Sequence, residues 1–345
     1  FFNVNNFFET FIDASYNMEV DSRGNVVEKV SVRGFKNNGL LQLLFSEYID
    51  FKGEADNPDL IRPNKQNEEY KVEPNSLTNE MMSLNQKLLS NKDAGSLLKG
   101  ITNGRMIAVS PYLSSQYEGV IPDAKEYVEN SPKLKATMDL IAQNKKDNPN
   151  AGQIIYSEIG TDVFPKLKEY LVNELGYKDS EVAIIDGKTK GREKIQDDYN
   201  KGKVKILIGS STIQAGMNLQ FNTSDMYILS LPYNFTALKQ LEGRAWRQGN
   251  KWENLRVNYM LTNNSSDVFL LQRIQEKQER YNNLKQTNAS RVDVSDIDAE
   301  ELKFSLITDP VKRAEAEYSL DKQKLEYQKK VITQELSVKY RLFDR

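Results

Sequence analysis

Between residues 150 and 262 the chain switches repeatedly between short apolar runs and amphipathic stretches. Gln153-Ile154-Ile155-Tyr156-Ser157 is a brief apolar run ended by a small polar residue. Phe164 to Leu175 carries a helical repeat and closes at Gly176. Val182 to Ile185 is a second apolar run, ending at Asp186-Gly187; Glu193 to Asn200 is helical, and Gly202 stops it. Val204 to Ile208 and Met226 to Leu229 follow, then the loop Leu231-Pro232-Tyr233-Asn234, a helix predicted over Phe235 to Arg247, and a fifth run at Leu255 to Leu261. Short continuous apolar runs fit strands buried on both faces, and their alternation with helices predicts an α/β parallel sheet covered on both sides. Ligands of such sheets sit at the carboxyl ends of the strands.

The flanks read differently. Phe1, Phe2, Phe7, Phe8 and Phe11 fall at roughly helical spacing, for which core packing is the plain explanation. A turn at Asp21-Ser22-Arg23-Gly24-Asn25 precedes an alternating strand over Val26 to Val32, and Leu40 to Phe51 returns to a helical repeat. Residues 52–76 are polar, contain Pro58, Pro63 and Pro74, and predict a loop or linker. Helices are expected over 76–106 and in two pieces across 122–146, broken at Ser131-Pro132. Beyond 266 no strand pattern remains: Val268 to Leu284 and Val311 to Leu342 place apolar residues at three- and four-residue steps, with an acidic turn at Asp296 to Glu301.

Composition narrows the chemistry. The 345 residues suffice for two to three domains. Cysteine and histidine are both absent, which excludes disulfides, thiolate nucleophiles, zinc fingers, Ser-His-Asp triads and imidazole bases. The net charge of −2 and mean hydropathy of −0.64 describe a polar globular chain, so any contact with nucleic acid must use a local patch. Residues 1–150 carry 17 basic and 21 acidic side chains, 151–260 carry 15 and 13, and 261–345 carry 15 and 15; the middle block is the best candidate for holding anions. No apolar stretch is long enough to span a membrane. The start at Phe1-Phe2-Asn3-Val4, with neither an initiator Met nor a signal-peptide pattern, reads as an internal or processed piece of a longer protein in the cytoplasm.

One segment concentrates the candidate chemistry: Gln240-Leu241-Glu242-Gly243-Arg244-Ala245-Trp246-Arg247-Gln248-Gly249. On a continuous helix Gln240, Arg244 and Arg247 share a face, and two guanidiniums beside each other call for an anion. The competing explanation is a solvated surface or ion pairing with Glu242 or Glu253. Upstream, Gly209-Ser210-Ser211-Thr212 and Gly216-Met217-Asn218-Leu219-Gln220 combine glycines and small hydroxyls that let main-chain amides approach phosphate; an ordinary Ser/Gly loop looks the same.

In order, these pieces resemble the second RecA-like lobe of superfamily-two helicases, most closely the Swi/Snf-type DNA translocases. Gln153 to Ser157 is similar to the fourth motif. Asp186-Gly187 with Arg192 resembles the Gly-then-Arg element, and Tyr199-Asn200-Lys201-Gly202 the helix end that follows. Ser210 through Gln220 resembles the fifth motif, Leu231 to Phe235 the connecting loop, and Gln240, Gly243, Arg244, Arg247 and Gly249 meet the sixth in full. Ser230, Phe235, Asn250 and Ile213-Gln214 depart from the usual residues. A weaker likeness points to large helicases of phages and mobile elements. No P-loop or acidic box is present; Gly187-Lys188-Thr189 imitates a P-loop's end, but Val182 stands where its first glycine belongs.

The resemblance implies a RecA-like parallel sheet with helices on both faces, flanked by mainly helical N- and C-terminal segments. It divides the chain into the tail of a first lobe with an inter-lobe insertion (1–125), the second lobe (126–265) and a helical brace (266–345). The implied function is an ATP-dependent DNA translocase or helicase, with ATP and Mg2+ held mainly by a first lobe of the same parent chain. Arg247 would be the arginine finger, Arg244 a second phosphate contact and Gln240 a sensor, with Gly216, Asn218 and Gly243 near the nucleotide. Ser157, Gly187, Ser210 and Thr212 would face nucleic acid. The alternative is a catalytically inactive binding scaffold derived from such a lobe, or a phage or mobile-element DNA-protection protein carried in the virion. Trp246 and Trp252 are read as packing rather than base-stacking. Asn222, Asn264 and Asn288 head glycosylation-like triplets in plain loops, and Asp293, Asp296 and Asp298 form a solvated turn rather than a metal site.

Overall fold

The computed structural model describes residues 3–20, 26–48, 59, 61–89, 94–214 and 216–287, with isolated positions between 318 and 333. The chain begins with α1 (Val4–Phe11), an antiparallel hairpin of β1 (Ile12–Val20) and β2 (Val26–Phe35), and α2 (Asn38–Tyr48). Next come β3 (Asn64–Val72), α3 (Ser76–Leu89), α4 (Ala94–Val109), α5 (Ala124–Glu129) and α6 (Pro132–Asp147). The alternating part is β4 (Gly152–Tyr156), α7 (Phe164–Asn173), β5 (Val182–Ile185), α8 (Arg192–Asn200), β6 (Ile206–Gly209), α9 (Ser211–Gln214), β7 (Thr223–Ile228), α10 (Phe235–Glu242), β8 (Asn254–Thr262) and α11 (Ser266–Thr287).

Six strands form one parallel sheet in the order β3-β8-β7-β4-β6-β5. Alternate residues of the same strand enter opposite cores. Ile154, Leu207, Met226 and Val257 pack with Tyr199 of α8, Leu238 and Leu241 of α10, and Leu270 and Ile274 of α11. Ile155, Ile208, Tyr227 and Met260 pack with Leu134, Met138 and Ile141 of α6 and Leu167 and Leu171 of α7. Burial on both faces is why the central strands read as unbroken apolar runs. Helices end where the glycines place them: Gly176 and Gly202 follow α7 and α8 at φ +65° and +78°, a conformation that favours glycine.

Three expectations need correction. Part of the segment expected to be linker, 64–72, is β3, in parallel register with β8. As an edge strand it has a neighbour on one side only, and most of its side chains are exposed or half-buried, so no apolar alternation marks it. The strand expected at 26–32 has a partner, β1, that was not anticipated. The helix expected over 235–247 stops at Glu242, for a tertiary reason given below. The proposed turns at 21–25 and 296–301, nearly all of 311–342, Phe1, Phe2, Asn288 and the acidic residues 293–298 lie outside the described residues. Of the remaining phenylalanines, Phe11 is buried and Phe8 is exposed.

Candidate nucleotide-facing turn and the sheet edge beside it

The carboxyl ends of β4, β5, β6 and β7 share one edge of the sheet, and three residues after β7 are each pinned there. The Leu229 carbonyl accepts from the Lys133 ammonium at 3.0 Å. The Ser230 hydroxyl accepts the Glu158 amide at 2.7 Å and lies 3.1 Å from the Ser157 hydroxyl. The Leu231 carbonyl accepts from the Arg105 guanidinium at 2.6 Å. Arg105 also lies 4.0 Å from the Tyr233 ring centroid and 3.7 Å from the Glu158 carboxylate. Lys133 is fully buried; burial pushes its pKa down, against the pull of the Asp267 carboxylate 2.5 Å away. Asp267 also accepts the Thr262 amide, tying the start of α11 to the end of β8. Burial likewise pushes the Tyr156 phenol up.

The residues expected to face nucleic acid lie at this edge. Ser157 is fully buried and donates to the Ile159 carbonyl at 2.7 Å, which leaves it shaping the edge rather than presenting a hydroxyl outward. Ser210 leads into α9 beside Thr212, their hydroxyls 3.3 Å apart. Gly187 is exposed, with nothing within 4 Å of where a Cβ would stand. Its loop is braced from within. Arg192 donates to the carbonyls of Thr189, Asp186 and Gly187 at 3.1, 3.0 and 3.1 Å. Asp186 accepts from the Thr189 hydroxyl and the Lys188 amide, which hold its carboxyl below the usual range.

Past α10 the chain turns instead of continuing as a helix. The Arg244 carbonyl, which an α-helix would offer to residue 248, accepts the Leu219 amide at 3.0 Å. The Trp246 indole donates to the Pro63 carbonyl at 2.9 Å, with the Arg62 and Lys65 cations 5.0 and 4.9 Å from its ring centroid. The main chain tightens here: the Arg244 and Ala245 amides donate three residues back, the Trp246 amide donates to the Glu242 carbonyl at 2.8 Å, and the Arg247 amide donates only to Ala245. Gln240 is exposed on α10, while Arg244 and Arg247 belong to the turn beyond its end. Gly243 sits tightly at the helix end, where a Cβ would lie 3.2 Å from the Lys239 carbonyl.

The turn is laced to the segment 214–220. Arg244 Nε donates to the Gln214 carbonyl at 2.9 Å, and Arg247 donates to Asn218 Oδ1 at 2.6 Å. Gly216 occupies φ +94° with open space around it. The structure thus gathers Gly216, Asn218, Gly243, Arg244 and Arg247. Asn218 and Arg247 lie beside the segment that runs to the amino end of β7, not at a strand's carboxyl tip. Glu242, the expected ion-pair partner, is taken by Lys65 at 2.6 Å and the Tyr259 hydroxyl at 2.5 Å. Among the described residues no carboxylate lies within ion-pair distance of Arg244 or Arg247. Arg247 is exposed and Arg244 half-buried. Both tryptophans pack and hydrogen-bond; Trp252 donates to the Asn222 carbonyl at 2.9 Å.

Arg105, Lys133, Gln196 and Asn200 were not singled out from the sequence as site residues. Neither of the first two carried a clear signal: Arg105 follows Thr102-Asn103-Gly104, and Lys133 stands at the start of its helix between Pro132 and Leu134-Lys135.

Six parallel strands with helices on both faces and the two laced arginine and glycine segments define a RecA-like lobe. Residues 132–249 match the helicase conserved C-terminal domain. A stretch of 106 residues is 28% identical to the Defense against restriction protein B of Escherichia phage P1; it is 31% of this chain and 5% of that protein's length. Among solved structures, the SWI2/SNF2 ATPase core domain of Sulfolobus solfataricus has a TM-score of 0.51 at 15% identity, covering 77% of this chain and 52% of that one. The SWI2/SNF2 ATPase C-terminal domain of the same organism gives 0.49 at 16% identity, covering 70% and 93%. Among the described residues no helix is long and apolar enough to cross a membrane.

Proposed function

We propose that this chain is the C-terminal part of an ATP-dependent DNA translocase or helicase and supplies the arginine finger to ATP held on a first lobe. The observation that carries the reading is Arg247: exposed, aimed by a single side-chain acceptor, and without a carboxylate partner among the described residues. An arginine kept for structure alone is ordinarily neutralised; one kept for an incoming phosphate is oriented and left open. Hydrolysis breaks the bond between the γ-phosphorus and the β-bridging oxygen as water adds, and charge grows on the oxygens involved. Arg247 stabilises that charge with its outer nitrogens. Arg244 holds the 214–220 segment through Gln214 and adds a second cation, and Gln240 reads the γ-phosphate from α10. Gly216 and Gly243 allow close approach of the main chain, and Asn218 orients the finger.

These residues fit the phosphates of ATP. None of them is a carboxylate that could ligate Mg2+, so its protein ligands are assigned to the first lobe. Gly187, Ser210 and Thr212 contact the nucleic-acid backbone from the sheet edge, with Ser157 shaping that edge; such contacts are independent of base sequence.

The test supplies the first lobe, changes Arg247→Ala and measures DNA-stimulated ATP turnover. A fall of ~10³ or more is expected, and unchanged turnover would falsify the assignment. A second reading, a non-catalytic DNA-binding protector, draws on the phage relative, whose name speaks of defence against restriction. It predicts that R247A keeps full DNA binding and protection against nuclease while nothing depends on ATP.

A further inference from the structure

We infer that α8 is a connecting rod between the 186–192 loop and the arginine finger, with Gln196 and Asn200 as the residues that position Arg247. This rests on the nucleic-acid and finger roles proposed above. At the start of α8, Arg192 spends its guanidinium on the carbonyls of Asp186, Gly187 and Thr189, so that loop and helix move together. At the far end both main-chain polar groups of Asn218 are held. Gln196 Oε1 accepts the Asn218 amide at 2.7 Å, and Asn200 Nδ2 donates to the Asn218 carbonyl at 2.8 Å. With its backbone fixed by α8, Asn218 has its side chain left for Arg247, at 2.6 Å.

Every link is a side chain closing on a neighbour across a loop, and none passes through soft packing alone. The helix between them is nine residues, about 13 Å of stiff rod at 1.5 Å per residue. Tyr199 fixes its axis: fully buried, its hydroxyl lies 2.9 Å from that of Thr223 at the start of β7. A small tilt about that anchor, set by a phosphate settling at Gly187, re-aims Asn218 and with it Arg247. The arrangement therefore couples occupancy of the strand track to the orientation of the finger, through two uncharged residues that touch neither ligand.

Hydrogen exchange of the whole chain, with and without a duplex DNA oligonucleotide, tests this without needing turnover. In the unaltered protein DNA should slow exchange in 186–192 and also in 216–220. Gln196→Met removes the acceptor and should abolish the response in 216–220 while that in 186–192 persists. Gln196→Glu keeps an acceptor oxygen and should restore it. Asn200→Ala provides an independent break if the methionine variant does not fold, and melting curves check that each variant is native. A 216–220 response that survives in Q196M or N200A overturns the coupling, as does a wild-type response confined to 186–192. If DNA slows neither segment, the nucleic-acid reading itself has failed and the coupling falls with it. The R247A turnover experiment reports separately on the finger.

Discussion

The sheet edge after β7 and the turn after α10 are built from the same kinds of side chain and treat them in opposite ways. At the edge, Lys133, Arg105, Ser157 and Ser230 are buried and their polar atoms are directed inward, onto Leu229, Leu231, Ile159 and Glu158. At the turn, Arg247 is exposed and makes one side-chain bond, to Asn218. Lys133 has its counter-charge in Asp267, whereas Arg247 has none among the described residues. A closed polar network specifies one backbone geometry and resists perturbation. An oriented but open cation is preorganised for a charge that arrives later. The buried network after β7 is thus scaffold and, on the proposed reading, the turn is instrument; the comparison predicts that changes in the two regions will be read by different assays.

The largest expected contrast lies in the cations themselves. Arg247→Ala should leave the melting temperature nearly untouched, since exposed substitutions away from special features change stability by about 0.5 kcal/mol or less. On the proposed reading the same change should cost ~10³–10⁵ in turnover once the first lobe is present. Lys133→Met should do the reverse, stranding a buried Asp267 carboxylate at about 3–5 kcal/mol in denaturant unfolding. The double replacement Lys133→Met with Asp267→Leu removes both charges and should recover most of that loss. If R247A melted far below the parent, the turn would be scaffold as well and the comparison would break.

How much of this could be read from residues alone follows the same division. Strands buried on both faces announce themselves, so β4 to β8 were visible as apolar runs, and the order of the pieces pointed to the lobe. β3 was invisible because an edge strand carries Asn64, Lys65, Gln66, Asn67, Glu68 and Glu69 with little apolar alternation. The end of α10 was invisible because it is decided elsewhere: the Arg244 carbonyl goes to Leu219 and the Trp246 indole to Pro63, a tertiary override of helical periodicity. Arg247 was legible as a candidate, but its aim was not. That depends on Asn218, 29 residues away in sequence, and through it on Gln196 and Asn200. Lys133 and Arg105 were not legible either, because their neighbours in sequence are mixed and their burial comes from partners far along the chain, Asp267 and the Leu231 carbonyl.

A smaller effect should come from Ser230, one of the residues that depart from the resemblance. Its hydroxyl is the acceptor for the Glu158 amide at the end of β4. Ser230→Ala leaves that amide without its acceptor and should cost about 1–3 kcal/mol in unfolding free energy. Because Ser230 belongs to the buried network, DNA affinity measured under conditions where the variant is folded should hardly change. A loss of DNA binding in a fully native S230A would move Ser230 from scaffold to contact.

The smallest change sharpens the comparison at the 186–192 loop, which belongs to neither extreme: it is exposed like the turn yet braced like the edge. Asp186 accepts from the Thr189 hydroxyl and the Lys188 amide, and these bonds hold its carboxyl below its ordinary value of 3.8. A group depressed in the folded state contributes above its unfolded pKa, and that contribution is lost as pH falls through the folded one. The brace should therefore be intact at neutral pH and loosen only in strongly acidic solution. Asp186→Asn keeps an acceptor oxygen but not the charge, and charge-assisted bonds are the stronger ones. The expected result is an unchanged melting temperature with faster amide exchange confined to 186–192, and no further acceleration on acidification beyond the intrinsic chemical rate. Faster exchange spreading into 206–209 would mean that the loop holds β6 in place, and that the sheet edge depends on it rather than the reverse.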